Sequence, residues 1–83
     1  MERWYIYILQ SEKNGKYYIG YTSNVDERLK THNQKMVRAT KSGAPWKIIH
    51  TEEFQNRQEA YRRERQIKRY KSGEAFKKLI DGV

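Results

Sequence analysis

Two runs of β-branched and aromatic residues, WYIYILQ at 4–10 and KYYIGYT at 16–22, flank the dipeptide Asn14-Gly15. Such runs favour strands, and Asn-Gly is the preferred pair for a tight type I′ turn, so the chain is constrained to open with a β-hairpin. In the first strand Trp4, Ile6 and Ile8 point to one face and Tyr5, Tyr7 and Leu9 to the other. Both faces are apolar, which predicts a strand covered on both sides. Strict pairing across a two-residue turn sets Lys13 opposite Lys16 and Tyr7 opposite Thr22. Tyr7 and Tyr18 then share a face but lie four residues apart along the strand, roughly 13 Å. A wider loop brings the two rings together, and a wider loop is the expectation.

The remaining chain alternates helix and strand signals. Asn24 with Glu27 forms a capping box, and Val25, Leu29 and His32 follow at helical spacing to about residue 34. Residues 34–45 are polar, basic and broken by Ser-Gly, which reads as a loop. WKIIHTEEF, 46–54, is a third strand. Asn56 with Glu59 repeats the capping box and starts a helix to about Tyr70; Ser72 caps a short last helix with Ala75, Phe76, Leu79 and Ile80 on its apolar side, stopped by Gly82. The order ββαβαα predicts one α/β domain over residues 1–83, a small three-stranded, largely antiparallel sheet flanked by helices.

Composition narrows the partner. Eighteen Lys and Arg against ten Asp and Glu give a net charge of +8 on 83 residues, an excess that favours a polyanion, most often nucleic acid. Half of the basic residues lie beyond Asn56, densest in RRERQIKRYK at 62–71; Arg62, Arg63, Arg65, Lys68 and Arg69 are the candidate phosphate contacts. There is no cysteine, hence no disulfide framework and no thiolate zinc site. The longest apolar run, WYIYIL, is too short for a signal-peptide core or a membrane span. A cytoplasmic protein without a membrane partner is expected.

Two polar residues interrupt apolar stripes. Glu64 lies between Ala60 and Ile67, on a face continued by Lys71. A carboxylate there is expensive unless it is paired, with Arg28 or a helix neighbour, or binds a cation. His32 continues the Val25–Leu29 stripe with Arg28 one turn before it. That pair is either a satisfied core histidine beside a surface arginine or part of a phosphate or carboxylate site.

Taken together these residues resemble the GIY-YIG nuclease superfamily. Tyr5-Ile6-Tyr7 stands where the family's first triplet would, Tyr18-Ile19-Gly20 supplies the second, Arg28 and His32 match its helix-borne arginine and histidine, and Glu64 its later glutamate. The resemblance runs from Trp4 to about Tyr70 and is closest to small standalone bacterial members. The chain departs from the pattern where Tyr5 replaces the leading Gly, and where the Asn that often follows the glutamate has no counterpart beyond Asn56. The resemblance implies phosphodiester hydrolysis in DNA: a Mg²⁺ or Mn²⁺ ion held by Glu64, the scissile phosphate gripped by Arg28, and Tyr7 or His32 as general base with Tyr18 alongside. A binding module of the same fold that does not cut is the competing reading. An enzyme acting on a small or nucleotide substrate would leave the basic helix without a role.

Overall fold

The computed structural model describes residues 2–70 and 73–81; the expected cap at Ser72, the stop at Gly82 and the stripe position Lys71 lie outside them. The elements are β1 (Trp4–Ser11), β2 (Tyr17–Thr22), α1 (Val25–Asn33), a 3₁₀ helix (Arg38–Gly43), β3 (Trp46–Phe54), α2 (Arg57–Tyr70) and α3 (Glu74–Asp81). The sheet has the order β2-β1-β3 with both pairs antiparallel, so the most apolar strand is central. On one face Ile6, Ile8, Ala60, Ile67 and Phe76 form a core beneath α2 and α3. On the other Tyr7, Leu9 and Trp46 pack with Tyr18, Val25, Leu29 and Ile48 beneath α1. β3 serves both, since successive side chains alternate: Ile48 packs on the α1 side and Ile49 on the α2 side, with a register shift between Ile8 and Leu9, which pair with His50 and Ile48.

The hairpin closes through a wider loop, not the two-residue type I′ turn. Tyr7 pairs with Gly20 and Leu9 with Tyr18. The Asn14-Gly15 signal is overridden by Ser11, whose Oγ accepts from the backbone N–H of Lys13 and Asn14 at 3.1 Å each and donates to the Gly43 carbonyl at 2.6 Å. Gly15 still takes the positive φ, 76°, that a glycine tolerates without strain. Asn14 Oδ1 accepts from Lys16 N–H at 3.0 Å.

Both capping residues act as expected: Asn24 Oδ1 accepts from Glu27 N–H at 3.1 Å and Asn56 Oδ1 from Glu59 N–H at 2.9 Å. Two readings need correction. The polar stretch 34–45 contains the 3₁₀ helix, held by tertiary bonds that no local pattern announces: Trp46 Nε1–H donates to the Thr40 carbonyl at 2.8 Å, and Trp46 N–H to Asn33 Oδ1 at 2.6 Å. On α3, Phe76 is buried and Leu79 and Ile80 half-buried, but Ala75 is exposed, since it falls one residue outside the stripe.

Candidate active site

Antiparallel pairing places Tyr7 directly across from Gly20, and the ring lies over the glycine. A methyl group at Gly20 would meet Tyr7 Oη at 2.5 Å and Cζ at 2.7 Å. The glycine is therefore the floor on which the first tyrosine lies, a role that the motif position alone did not define. Tyr18, diagonal to Tyr7 on the same face, brings its ring centroid to 6.4 Å from that of Tyr7 and 4.9 Å from that of His32.

Behind Tyr7 stands a buried polar chain. Tyr7 Oη and His32 Nε2 are 3.0 Å apart, and His32 Nδ1 lies 2.7 Å from Thr40 Oγ1. Thr40 Oγ1 donates to the Val37 carbonyl at 3.3 Å, which leaves it to accept from Nδ1–H. The hydrogen-bond network thus assigns the imidazole proton to Nδ1 and has Tyr7 donate to Nε2. Tyr7, His32 and Thr40 are each at most 1% exposed. Burial pushes the Tyr7 hydroxyl above the usual phenol range, against an opposing pull from Arg28. Burial, then the neighbouring Arg28 charge, lowers His32 from 6.5 to about 4. In the free protein the histidine is neutral and the tyrosine protonated. Both imidazole nitrogens are engaged and the ring is covered, so His32 meets a ligand only through Tyr7.

An open cavity of about 320 Å³ brings Tyr7, Tyr18, Gly20, Arg28 and Glu64 together, with Trp4, Tyr21 and Arg57 completing its wall. It lies at the β2 edge and draws on both layers: Arg28 from α1, Arg57 and Glu64 from α2. Glu64 is 8% exposed and pairs with Lys68 Nζ at 3.3 Å. Of the two partners anticipated for it, the helix neighbour is the one present, and Arg28 is not among its ion-pair partners. An i,i+4 pair whose lysine is largely exposed is worth only about 0.3–0.5 kcal/mol, so Lys68 is a displaceable partner.

The basic residues of α2 divide by orientation. Arg65, Lys68 and Arg69 line, with Tyr61 and Glu64, a groove of about 510 Å³ that adjoins the cavity at Glu64. Arg62 is exposed but lies about 200° round the helix from Glu64. Arg63 differs from its expected role. Its Nε and Nη2 hold the Glu52 carboxylate at 2.8 and 3.1 Å, and Glu52 also bonds His50 at 2.7 Å, so this arginine ties α2 to β3. Arg57 was not anticipated. Its guanidinium lies 5.7 Å from the Trp4 ring centroid and 5.9 Å from that of Tyr21, on the wall of the cavity. The only local signal is a cation at the start of a helix, where it opposes the dipole.

The donors present fit one kind of metal. Among the described residues no group of three or more His, Cys, Asp or Glu side chains is placed to hold an ion. One buried carboxylate facing a cavity suits Mg²⁺ or Mn²⁺ held jointly with waters and a phosphate brought by the ligand.

A β2-β1-β3 antiparallel sheet with Tyr7 and Tyr18 side by side across its first hairpin is the small α/β class that the sequence resemblance implied. A profile of the GIY-YIG catalytic domain matches residues 3–77, and the chain belongs to that family of nucleases, which generally depend on a divalent metal. It is 36% identical over 80 residues to a UPF0213 protein of Staphylococcus haemolyticus, covering 95% of this chain and 96% of that one. A UPF0213 protein of Staphylococcus saprophyticus is 31% identical over 83 residues, covering 99% and 100%. The solution NMR structure of the UPF0213 protein BH0048 from Bacillus halodurans is similar in fold. Its TM-score is 0.60 at 32% identity, covering 95% of this chain and 83% of that one. No helix among the described residues is long and apolar enough to cross a membrane.

Proposed function

We propose that the protein is a divalent-metal-dependent endonuclease hydrolysing phosphodiester bonds in DNA, with the cavity at Gly20 as its active site. The observation that carries this reading is the lining of one cavity by Tyr7, Tyr18, Arg28 and Glu64, with His32 bonded behind Tyr7 at 3.0 Å. Arg28 grips the scissile phosphate through charge-assisted bonds. Glu64 holds Mg²⁺ or Mn²⁺, which when bound neutralises charge developing on the phosphate. Tyr7 and His32 act in series as the general base. Because Tyr7 donates to Nε2, an oxygen lone pair is free to accept from a water in the cavity. As that water attacks phosphorus and the bond from phosphorus to the leaving sugar oxygen breaks, the water's proton passes to Tyr7 Oη, the tyrosine's own proton passes to His32, and the leaving oxygen takes a proton from solvent. Burial, the larger cause of the depressed imidazole, persists in the complex, and the smaller Arg28 contribution is offset once a phosphate binds, so the base recovers part of its strength on arrival of substrate.

The non-catalytic reading, a nucleic-acid grip of the same fold, is favoured by one observation: Glu64 already has a cation partner in Lys68. Glu64→Gln separates the two. It keeps the shape, removes the charge, and is expected to abolish Mg²⁺- or Mn²⁺-dependent cleavage of nicked, branched, single-stranded or duplex DNA with affinity unchanged or higher. Wild-type protein should gain Tm on adding Mg²⁺, a gain that Glu64→Gln loses. A variant destabilised by about 0.3–0.5 kcal/mol, with no metal-dependent shift in either protein, establishes the pair as structural and the protein as a binder.

A further inference from the structure

A second gathering of cations lies away from α2. Lys13 from the β1–β2 loop, Lys35 just past α1, and Arg38 and Lys41 from the 3₁₀ helix surround an open cavity of about 350 Å³. All four are exposed, and none takes part in the ion pairs found among the described residues. Their segments are fastened to one another. Ser11 Oγ bonds the Gly43 carbonyl at 2.6 Å while accepting from Lys13 N–H, and Glu12 N–H donates to the Pro45 carbonyl at 2.9 Å. The chain thus holds like charges together that mutual repulsion would spread.

Lys35 carries a second sign of use. Its φ is 62°, in the left-handed region that favours Gly or Asn. It sits where helices end in that conformation: Lys35 N–H bonds the His32 carbonyl and Met36 N–H the Thr31 carbonyl, both at 3.1 Å. A lysine there is strained relative to glycine, and its side chain is delivered to the cavity.

We propose that this cavity is a second contact for the phosphate backbone of a nucleic acid, separate from the α2 groove. The lining contains no aromatic ring to stack a base and no carboxylate to take a sugar hydroxyl. Four cations exceed what one phosphate needs and match successive phosphates of a strand. The inference rests on the reading of the Gly20 cavity as the cutting site. From Arg28, in that site, to Lys35 is seven residues of α1 and its cap, roughly 10 Å of helix rise or about three base-pair rises. Backbone held at Arg28 therefore reaches the second cavity only if it continues several nucleotides beyond.

The test is fluorescence anisotropy in EDTA, with a 20-base-pair duplex and a dinucleotide carrying one phosphodiester, too short to bridge about 10 Å, as probes, across a salt series. Replacing Lys13, Lys35, Arg38 and Lys41 together by Gln is expected to weaken duplex binding at least tenfold. The log–log salt slope should flatten by about 2–4, with binding of the dinucleotide unchanged. Lys35→Gly alone should raise Tm while weakening duplex binding. A duplex slope unchanged in the fourfold variant overturns this site and leaves the nuclease reading standing. Wild-type protein that binds neither probe overturns both. Equal shifts of the four backbone amides in NMR titrations with inorganic phosphate and with duplex make the cavity an isolated anion pocket and overturn the proposal. Binding to phosphatidylserine vesicles that the fourfold variant loses, with duplex binding intact, reassigns the surface to a membrane and also overturns it.

Discussion

The two faces of the sheet are built from different materials. Beneath α2 and α3 the buried set is Ile6, Ile8, Ala60, Ile67 and Phe76, whose contacts are non-directional. Beneath α1 the apolar Leu9 and Trp46 share the interior with Tyr7, His32 and Thr40, linked in a chain by bonds of 3.0 and 2.7 Å, and with Ser11, which bonds the Gly43 carbonyl at 2.6 Å. No buried side-chain polar atom among the described residues lacks a partner. Oily packing tolerates small rearrangements; a satisfied polar chain in a low-dielectric interior does not, and it fixes atoms at hydrogen-bonding precision. One face supplies free energy, the other geometry. Gly20 lies where they meet, at the strand edge over which Tyr7 from the α1 side and Glu64 from the α2 side reach one cavity.

The largest expected effect falls on the apolar face. Ile8 is fully buried, and Ile8→Ala should cost about 2–5 kcal/mol, from lost transfer energy and the residual cavity. Urea titration reads the loss. If the division of labour holds, cleavage per folded molecule at low temperature stays near wild type. A comparable fall in both quantities would mean the apolar face also sets the site.

Next in size is a pH effect that singles out the polar face. His32 titrates at about 4 in the folded protein against 6.5 ordinarily, so between these values the unfolded chain holds a proton that the folded one refuses. Stability is then intact above pH 6.5, falls as pH drops toward 4, and loses nothing further from this group below that. The integrated loss is about 3 kcal/mol. Glu52 acts lower. Although burial opposes it, Arg63 and His50 together hold its carboxyl below the usual range, so the β3–α2 tie weakens only as pH falls below about 4.5 through the folded value. Melts of wild type and His32→Asn from pH 7.5 to 4 make the comparison. Parallel curves would show that the polar face does not govern this window.

How much of this was legible follows from how local each cause is. The strands came from β-branched and aromatic runs, and the first two helices from the Asn24 and Asn56 caps that the structure retains. Glu64 stood out because a carboxylate in an apolar stripe violates a simple rule. The wider hairpin loop that brings Tyr7 and Tyr18 together was expected, but its exact register was not legible, because Ser11 bonds Gly43, a residue 32 positions away. The 3₁₀ helix was hidden for the same reason: its sequence is polar without period, and Thr40 is placed by His32 and Trp46. Within the basic run 62–71, charge alone could not distinguish Arg63, which faces Glu52, from Arg65, which faces the groove. Arg57 was missed because its meaning comes from Trp4 and Tyr21, two strands away in the chain.

That arginine gives the smallest and sharpest test of the boundary between the faces. Cation–π contacts with Trp4 and Tyr21 hold the guanidinium on the cavity wall, and none of its N–H groups is bonded to a carboxylate among the described residues. A guanidinium with no carboxylate partner keeps its N–H groups for phosphate oxygens, so Arg57 should oppose Arg28 across the cavity. Arg57→Gln is expected to lower DNA affinity about tenfold, equivalent to about 1.4 kcal/mol, while stability falls by no more than about 0.5–1 kcal/mol, the worth of an exposed cation–π contact. Arg57→Lys should recover only part of the affinity, because an ammonium keeps the charge but loses the flat, bidentate edge. Arg62→Gln, one net charge on the far side of the same helix, is the control and should change affinity less than twofold. Equal losses for Arg57→Gln and Arg62→Gln would reduce Arg57 to one more surface charge, and the cavity to a site armed with phosphate-binding arginine from the α1 side alone.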